Sequence, residues 1–355
     1  MRPDIFDALA PVCPRCLHTD GTQAPLKLAS THESRQGLVW QGMVHCSNGE
    51  CWAEYPVIDG IPVLAPDPRT FLQNSRHHVL LRDNLGPDLE SLITDALGQG
   101  SEFETTRQHL GLYAGTHYAD LVSGTEALSQ IPAILDTGWS AMEPAPEGPA
   151  LDLGTSVGRG AWEMAARRAG PVLGADLNFA MLRMAQTLML EGRVTFPRRR
   201  VGVVYDPVEA VLPDALASDR VDFWALDAMA LPFPDGRFAA ATAVNLVDCI
   251  SGPTNMIAET ARVLAPGARA LFTTPYDWAA TITDPVGWMG GHSQRGVTGG
   301  DAEPVLTATL AAYGLNPVAE AHDVPWHLRV HARSVMQYML HMVVCERATS
   351  PPTPT

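Results

Sequence analysis

Apolar residues in the second half of the chain fall in short runs bounded by Gly, Pro or Asp, at 151–153, 171–175, 221–226, 238–244 and 268–273. Such runs predict buried strands. Between them, apolar positions recur at helical spacing: a helix over 159–168, a second carrying Met181, Met184 and Leu188 behind Asn178 as its cap, and a third over 255–264. Strands that alternate with helices predict an α/β fold with a mostly parallel sheet. Upstream, Leu80, Leu81, Leu85, Leu89 and Leu92 keep helical spacing across an interruption at Gly86-Pro87, which predicts a pair of helices and then an approach segment over 112–118. Pro144, Pro146, Gly148 and Pro149 read as a linker into the α/β unit, and 192–219 as a connection longer than the fold requires. The last third predicts a Gly-rich loop over 287–300, a helix beginning near Asp301, a closing strand pair and a disordered proline-rich tail over 350–355.

Composition narrows the class. The 355 residues are 46% hydrophobic and 18% charged, as in an ordinary globule with room for a full α/β domain and a smaller one. A net charge of −15 disfavours phosphate backbones and anionic membranes as partners. Arg198-Arg199-Arg200 reads as a solvated face rather than a binding patch. No apolar run reaches membrane-spanning length and the first residues do not begin a signal peptide, so a cytoplasmic location is expected.

In that compartment cysteines read as metal ligands or free thiols rather than disulfides. Cys13 and Cys16 form one close pair and Cys46 and Cys51 another, and two such turns close a tetrahedral structural zinc site. The alternative is four unrelated buried cysteines. Cys249 and Cys345 are expected to stay free. Just downstream, Tyr55-Pro56-Val57-Ile58-Asp59-Gly60-Ile61-Pro62-Val63-Leu64 together with the paired cysteines resembles the zinc-ribbon family of methyltransferase activator subunits, over about residues 8–66. The resemblance implies a folding and docking module.

The most informative stretch is Leu151-Asp152-Leu153-Gly154-Thr155-Ser156-Val157-Gly158, a strand entering a glycine-rich turn at the start of a helix. Glycines allow the tight turn and the close approach of a ligand, and the helix N-terminus offers unpaired N–H groups. Asp176 ends the next strand, where a carboxylate takes the hydroxyls of a ribose. Gly154 to Gly158 also fits the G-x-S-x-G nucleophile elbow of hydrolases, and the nicotinamide fingerprint G-x-G-x-x-G is absent. With the acid after the second strand, the pattern resembles motif I of the Rossmann-like methyltransferases that use S-adenosylmethionine. Asp227-Ala228-Met229-Ala230-Leu231-Pro232-Phe233 resembles the segment that edges the adenine in the same enzymes. The resemblance implies a class I methyltransferase fold, α/β with a mostly parallel sheet, preceded by a small zinc ribbon (1–66) and a helical cap (67–148). The catalytic domain is then 149–347 and the tail 348–355. It implies donor contacts from Asp152, Gly154, Thr155, Gly158, Asp176, Leu177, Asp227, Ala228 and Asn245. Tyr113, His117 and Tyr118 become candidates for the pocket wall, with packing inside the cap as the alternative.

Asn245-Leu246-Val247-Asp248, Thr274-Pro275-Tyr276-Asp277-Trp278, Trp288-Met289-Gly290-Gly291 and 323–329 follow in order. Together they resemble the methyltransferase domain of ovothiol-forming enzymes, which methylates an imidazole nitrogen of a thiolated histidine. The oxidase domain that precedes it in those enzymes is replaced by the ribbon, and Thr155 stands where they often have Cys. The resemblance implies an N-methyltransferase acting on histidine or a small imidazole such as a thiohistidine. A neutral imidazole, with an ordinary pKa of about 6.5, needs tautomer selection rather than a strong base. Asp248 would accept its N–H, Asn245 fix the ring, Tyr276 close one side and Arg329 hold a substrate carboxylate. The alternative for Asn245 and Asp248 is a cap after the fourth strand. A protein or peptide methyltransferase docked through the ribbon is the competing function, and a non-catalytic binding module a third. Residues 1–66 carry four Lys+Arg against seven Asp+Glu, which disfavours RNA.

Overall fold

The five apolar runs lie side by side in one seven-stranded sheet of the computed structural model, which describes residues 1–81, 87–123 and 130–349. The chain opens with α1 (Pro3–Leu9) and α2 (Pro14–Asp20). An antiparallel sheet follows in the order β1 (Leu26–Arg35), β2 (Leu38–Cys46), β3 (Glu54–Ile58) and β4 (Ile61–Pro62). Then come the cap helices α3 (Pro68–Asn74), α4 (Arg76–Leu80), α5 (Pro87–Leu97), α6 (Glu102–Tyr118) and α7 (Gln130–Gly138). Residues 112–118, expected as a separate approach segment, are the last turns of α6. Leu85 of the leucine pattern and the tail over 350–355 lie outside the described residues.

The α/β unit runs β5 (Ala150–Leu153), α8 (Arg159–Arg167), β6 (Val172–Asp176), α9 (Phe179–Glu191), the pair β7 (Arg193–Val201) and β8 (Val204–Val211), then β9 (Val221–Ala225). It continues through β10 (Phe238–Val244), α10 (Pro253–Val263), β11 (Leu264–Thr274), α11 (Glu303–Ala312), β12 (Leu315–His331) and β13 (Ser334–Arg347). The large sheet has the order β12-β13-β11-β10-β5-β6-β9. Strands β9, β6, β5, β10 and β11 are parallel, while β13 and β12 close the edge antiparallel. All four residues of β5 are buried, as a central parallel strand covered on both faces requires. Asn178 does cap α9, accepting the Met181 N–H, and Gly192 ends it in the left-handed region at φ 67°. The stretch 192–219 is not a plain connection: its first part is the antiparallel hairpin β7-β8, because Val194 and Phe196 face Val208 and Ala210 on one buried side.

Two hydrophobic clusters cover the sheet. One joins the cap helices with α8 and α9, and the other joins α10 and α11 with the N-terminal small sheet. Alternation along β9 sends Phe223 and Ala225 to the first and Trp224 to the second. Trp224 meets Phe6 of α1 at 5.8 Å between ring centroids and stacks on Phe233 at 6.0 Å. The small sheet also joins β9 by backbone, with the Leu64 N–H donating to the Ala225 carbonyl at 3.0 Å, and the Val12 N–H donates to the Pro232 carbonyl at 2.8 Å. The first 66 residues therefore share a core with the α/β unit rather than enclosing one of their own. No described helix is long and apolar enough to cross a membrane. Because one indole seals this shared core, Trp224→Ala should cost about 3–5 kcal/mol of unfolding free energy in a single transition followed by circular dichroism. A separate early transition for the N-terminal part would contradict the shared core.

Candidate functional site

The glycine-rich turn after β5 is held from below. Asp152 is buried; its Oδ2 accepts the Thr155 hydroxyl at 2.6 Å and its Oδ1 the Thr242 hydroxyl of β10 at 2.7 Å. A Cβ at Gly160 would come within 2.4 Å of the same carboxylate, and one at Gly158 within 2.8 Å of Ala185 and Phe223. Asp152, Thr155 and Gly158 thus shape the turn by packing inward. Gly154 and Ser156 hold φ of 67° and 54°, which turns the backbone outward beside Leu246.

Asp176 ends β6 next to that turn. Its Oδ2 accepts the Ser156 N–H and its Oδ1 the Asn178 N–H, both at 2.8 Å. Burial pushes its carboxyl upward, against the backbone N–H groups that favour the charged form. Leu177 beside it is 41% exposed, an apolar surface left uncovered at the carboxyl edge of the sheet. After β9, Asp227 Oδ1 accepts the Met229 N–H at 2.9 Å and Ala228 is buried. These residues line the edge where open α/β sheets take their ligands.

Two further loops leave the same edge, after β10 and β11. Asn245 and Tyr276 stand there at φ 53° and 58°, strained positions that cost about 1–3 kcal/mol each. The Asn245 amide oxygen accepts the Thr273 hydroxyl at 2.8 Å. Asp248 is 2% exposed, and its two oxygens accept the Thr274 hydroxyl at 3.0 Å and the Asp277 N–H at 2.8 Å. Asp248 is therefore a brace between the loops, and its expected direct grip on an imidazole is corrected by these internal partners. It presents the exposed Asp277, whose Oδ2 accepts the Tyr338 hydroxyl at 2.9 Å. Burial above all, with the carboxylates of Asp176 and Asp248 adding to it, pushes the half-buried Tyr113 phenol up to about 12. Asp277 and Tyr338 were not singled out in the sequence; the Thr274-Pro275-Tyr276-Asp277 run was the available signal, while Tyr338 reaches the edge only through strand pairing.

The other expected wall residues lie elsewhere. Tyr118 is fully buried and donates to the Val157 carbonyl at 2.5 Å, so it ties the cap to the glycine turn. His117 is buried, and desolvation drops its pKa to about 3. Its carbonyl accepts from Arg159, which also pairs with Asp120 at 2.8 Å and Glu163. Arg329 is exposed on β12 and lines, with Arg198, Arg199 and Arg200, a cavity of about 890 Å³. Gln108, Gly111 and Leu112 of α6 border that cavity, on the face opposite Tyr113 and His117.

The four N-terminal cysteines converge. Sγ of Cys13 lies 3.8 Å from that of Cys51, and Sγ of Cys16 lies 3.7 Å from that of Cys46. A disulfide needs about 2.05 Å, whereas a tetrahedron with metal–sulfur bonds of about 2.3 Å places sulfurs about 3.8 Å apart. Burial raises the Cys46 thiol to about 11, and backbone and side-chain N–H groups of Asn48 point at Cys46 and Cys16. All six cysteines are free of disulfides.

Among known proteins, residues 151–272 match the family described as a methyltransferase domain. A probable chloroplastic tocopherol O-methyltransferase of Oryza sativa subsp. japonica is 37% identical over 78 residues, 21% of this chain and 22% of that protein's own length. Haemonchus contortus phosphoethanolamine N-methyltransferase 2, solved with S-adenosylmethionine, is 18% identical with a TM-score of 0.40, covering 64% of this chain and 45% of that one. The cyclase SpnF is 17% identical with a TM-score of 0.46, covering 74% and 97%. Residues 151–272, which carry the family match, fold as the Rossmann-like, mostly parallel α/β sheet of such a methyltransferase domain.

Burial lifts Asp152 from an ordinary 3.8 to about 6, so folding favours its protonated form. That contribution to stability is complete below 3.8 and is lost as pH rises through 6. In urea titrations the stability of wild type minus Asp152→Asn should therefore fall between about pH 4 and pH 7. A difference that does not change with pH would mean that the carboxylate stays ionised in the fold.

Proposed function

We propose that the chain transfers the methyl group of S-adenosylmethionine to an imidazole nitrogen of histidine or of a histidine-derived small molecule such as a thiohistidine. The observation that carries the reading is the exposed Asp277 carboxylate, which accepts the Tyr338 hydroxyl on a loop whose backbone Asp248 braces at the carboxyl edge of the sheet. The motifs after β10 and β11 that resemble imidazole methyltransferases supply that edge with its polar groups, and no strong base is needed there.

Gly154, Asp176, Leu177, Asp227 and Ala228 are assigned to the donor, with Asp176 taking the ribose hydroxyls and Asp227 the adenine amino group. Bound S-adenosylmethionine supplies an electrophilic methyl group on a sulfonium sulfur. The chain's own residues orient the acceptor: Asp277 takes one ring N–H, which leaves the lone pair of the other nitrogen free to attack. Tyr276 and Tyr113 flank the ring, and Asn245 sets the floor of the pocket. Alignment of this kind lowers a barrier by roughly 7–11 kcal/mol in favourable cases. Asp248 becomes a positioning residue, acting through Thr274 and Asp277. Arg329 has no part in this pocket.

The division into a ribbon over 1–66, a cap over 67–148 and a catalytic domain over 149–347 belongs to the same reading. Cys13, Cys16, Cys46 and Cys51 hold one structural zinc, and the ribbon braces the segment that edges the adenine through Trp224, Phe233 and Pro232. A peptide or protein histidine docked on the ribbon is the competing acceptor.

Labelled methyl donor incubated with histidine, thiohistidine, histidine-containing peptide and RNA separates the acceptors. Label in the free imidazoles is expected, and label in the peptide alone would transfer the proposal to the macromolecular acceptor. Asp277→Asn should lower turnover at least tenfold, about 1.4 kcal/mol of barrier, with donor affinity unchanged in calorimetry. Asp176→Ala should instead weaken the donor by an order of magnitude or more through lost charge-assisted hydrogen bonds. Equal effects of the two substitutions on donor affinity would refute the division between donor and acceptor residues.

A further inference from the structure

A second group of ligating side chains stands behind Tyr276. Glu303 opens α11, His322 lies in β12 and His341 in β13, and one donor atom from each falls within 4.8 Å of the others. The register between β12 and β13 slips between Ala321 and Val324, where Asp323 takes φ 55°. A bulge of this kind re-aims a side chain, and here it brings the His322 ring parallel to that of His341, 5.1 Å away at 8°. His322 Nδ1 lies 3.2 Å from Glu303 Oε2. Glu320 Oε2 is 3.9 Å from Nε2 of both histidines, beyond hydrogen-bond length.

His341 is the decisive member. It is 3% exposed, and its Nδ1 is tied to the Tyr276 hydroxyl at 2.6 Å. Its Nε2 is buried and has no hydrogen-bond partner among the described residues. A buried ring nitrogen without a partner is costly; Glu320 Oε2 is 3.9 Å from this one, and His341 shares its cluster with His322 and Glu303. Two histidines and a carboxylate are a donor set that first-row divalent metals accept. Bonds of about 2.0–2.2 Å put such donors roughly 3.4 Å apart. His322 Nδ1 and Glu303 Oε2, at 3.2 Å, already stand near that spacing, and both side chains are exposed.

We propose that Glu303, His322 and His341 form a second site for a divalent transition metal such as zinc, separate from the four-cysteine cluster, with Glu320 beside it. The hydrogen bond from His341 Nδ1 to Tyr276 is then the outer partner that metal-bound histidines ordinarily make. The site also sets a proton. A metal on Nε2 requires hydrogen on Nδ1, so the Nδ1–H donates to the Tyr276 oxygen. The phenol hydrogen is thereby released to point away from His341, toward the acceptor pocket. Without the metal, Nδ1 is free to accept that hydrogen.

The test uses the whole purified chain with its cysteine-bound metal retained, titrated with zinc chloride in a calorimeter. The wild type should take up one further ion per chain. His322→Ala and Glu303→Gln alter surface side chains, so they should melt as the wild type does and bind the added zinc at least tenfold more weakly. Cys249→Ser, which removes an exposed thiol, should bind like the wild type. No uptake by the wild type would overturn the site, as would undiminished binding in both the His322 and Glu303 variants. Neither donor nor acceptor is present in the titration, so the outcome does not depend on the imidazole reading.

Discussion

The buried carboxylate of Asp152 is the constraint on which the remainder of the edge depends. One oxygen fixes Thr155 inside the glycine turn and the other fixes Thr242 in the neighbouring strand β10. The turn and the loop that begins at Asn245 therefore keep one relative position. A protonated or ionised carboxylate at this depth is tolerated because both oxygens have hydroxyl donors, in keeping with the rule that buried polar groups are paired. Everything that the site presents at the carboxyl edge is displaced if this bracket moves.

Two accessory parts reinforce the same edge from opposite faces. From the cap, Tyr118 holds the Val157 carbonyl and Asp120 holds Arg159 at the start of α8, so helix α6 is tied to the turn itself. From the other face, the N-terminal module packs Phe6 on Trp224 and joins its backbone to Ala225 and Pro232. That module cannot loosen without disturbing the segment that begins at Asp227. The cysteine cluster thus has a mechanical consequence for the α/β unit through packing alone, with no need for contact with a ligand.

The loops after β10 and β11 show how strain is stored where polar groups must converge. Asn245 and Tyr276 both sit in the left-handed region, and each is held by a threonine at a strand end: the Thr273 hydroxyl donates to Asn245, and the Thr274 hydroxyl accepts the Tyr276 N–H. Asp248 spans the two loops. Such a network explains why a carboxylate that looked available in the sequence is consumed in positioning its neighbour.

The sequence by itself determined the alternation of the five parallel strands with α8, α9 and α10, the glycine turn, the acid that ends β6, the cap of α9 and the gathering of four cysteines. Each of these follows from local rules: periodicity, turn chemistry and ligand spacing act over a few residues. It also marked Asp248, His117, Tyr118 and Arg329 as polar or aromatic residues near the right motifs, but not which way they face. Only the tertiary structure decided that Asp152, Asp248 and Tyr118 turn inward as braces, because burial and hydrogen-bond partners come from strands and helices distant in the chain. The same holds for the hairpin at β7-β8, whose pairing is hidden by prolines and arginines, and for Tyr338, His341 and His322. Their meeting with Asp277, Tyr276 and Glu303 is set by the register of β12 on β13 and of β13 on β11, and by one bulge. A slip of a single residue reverses a strand's faces, and no local pattern in these strands specifies that register.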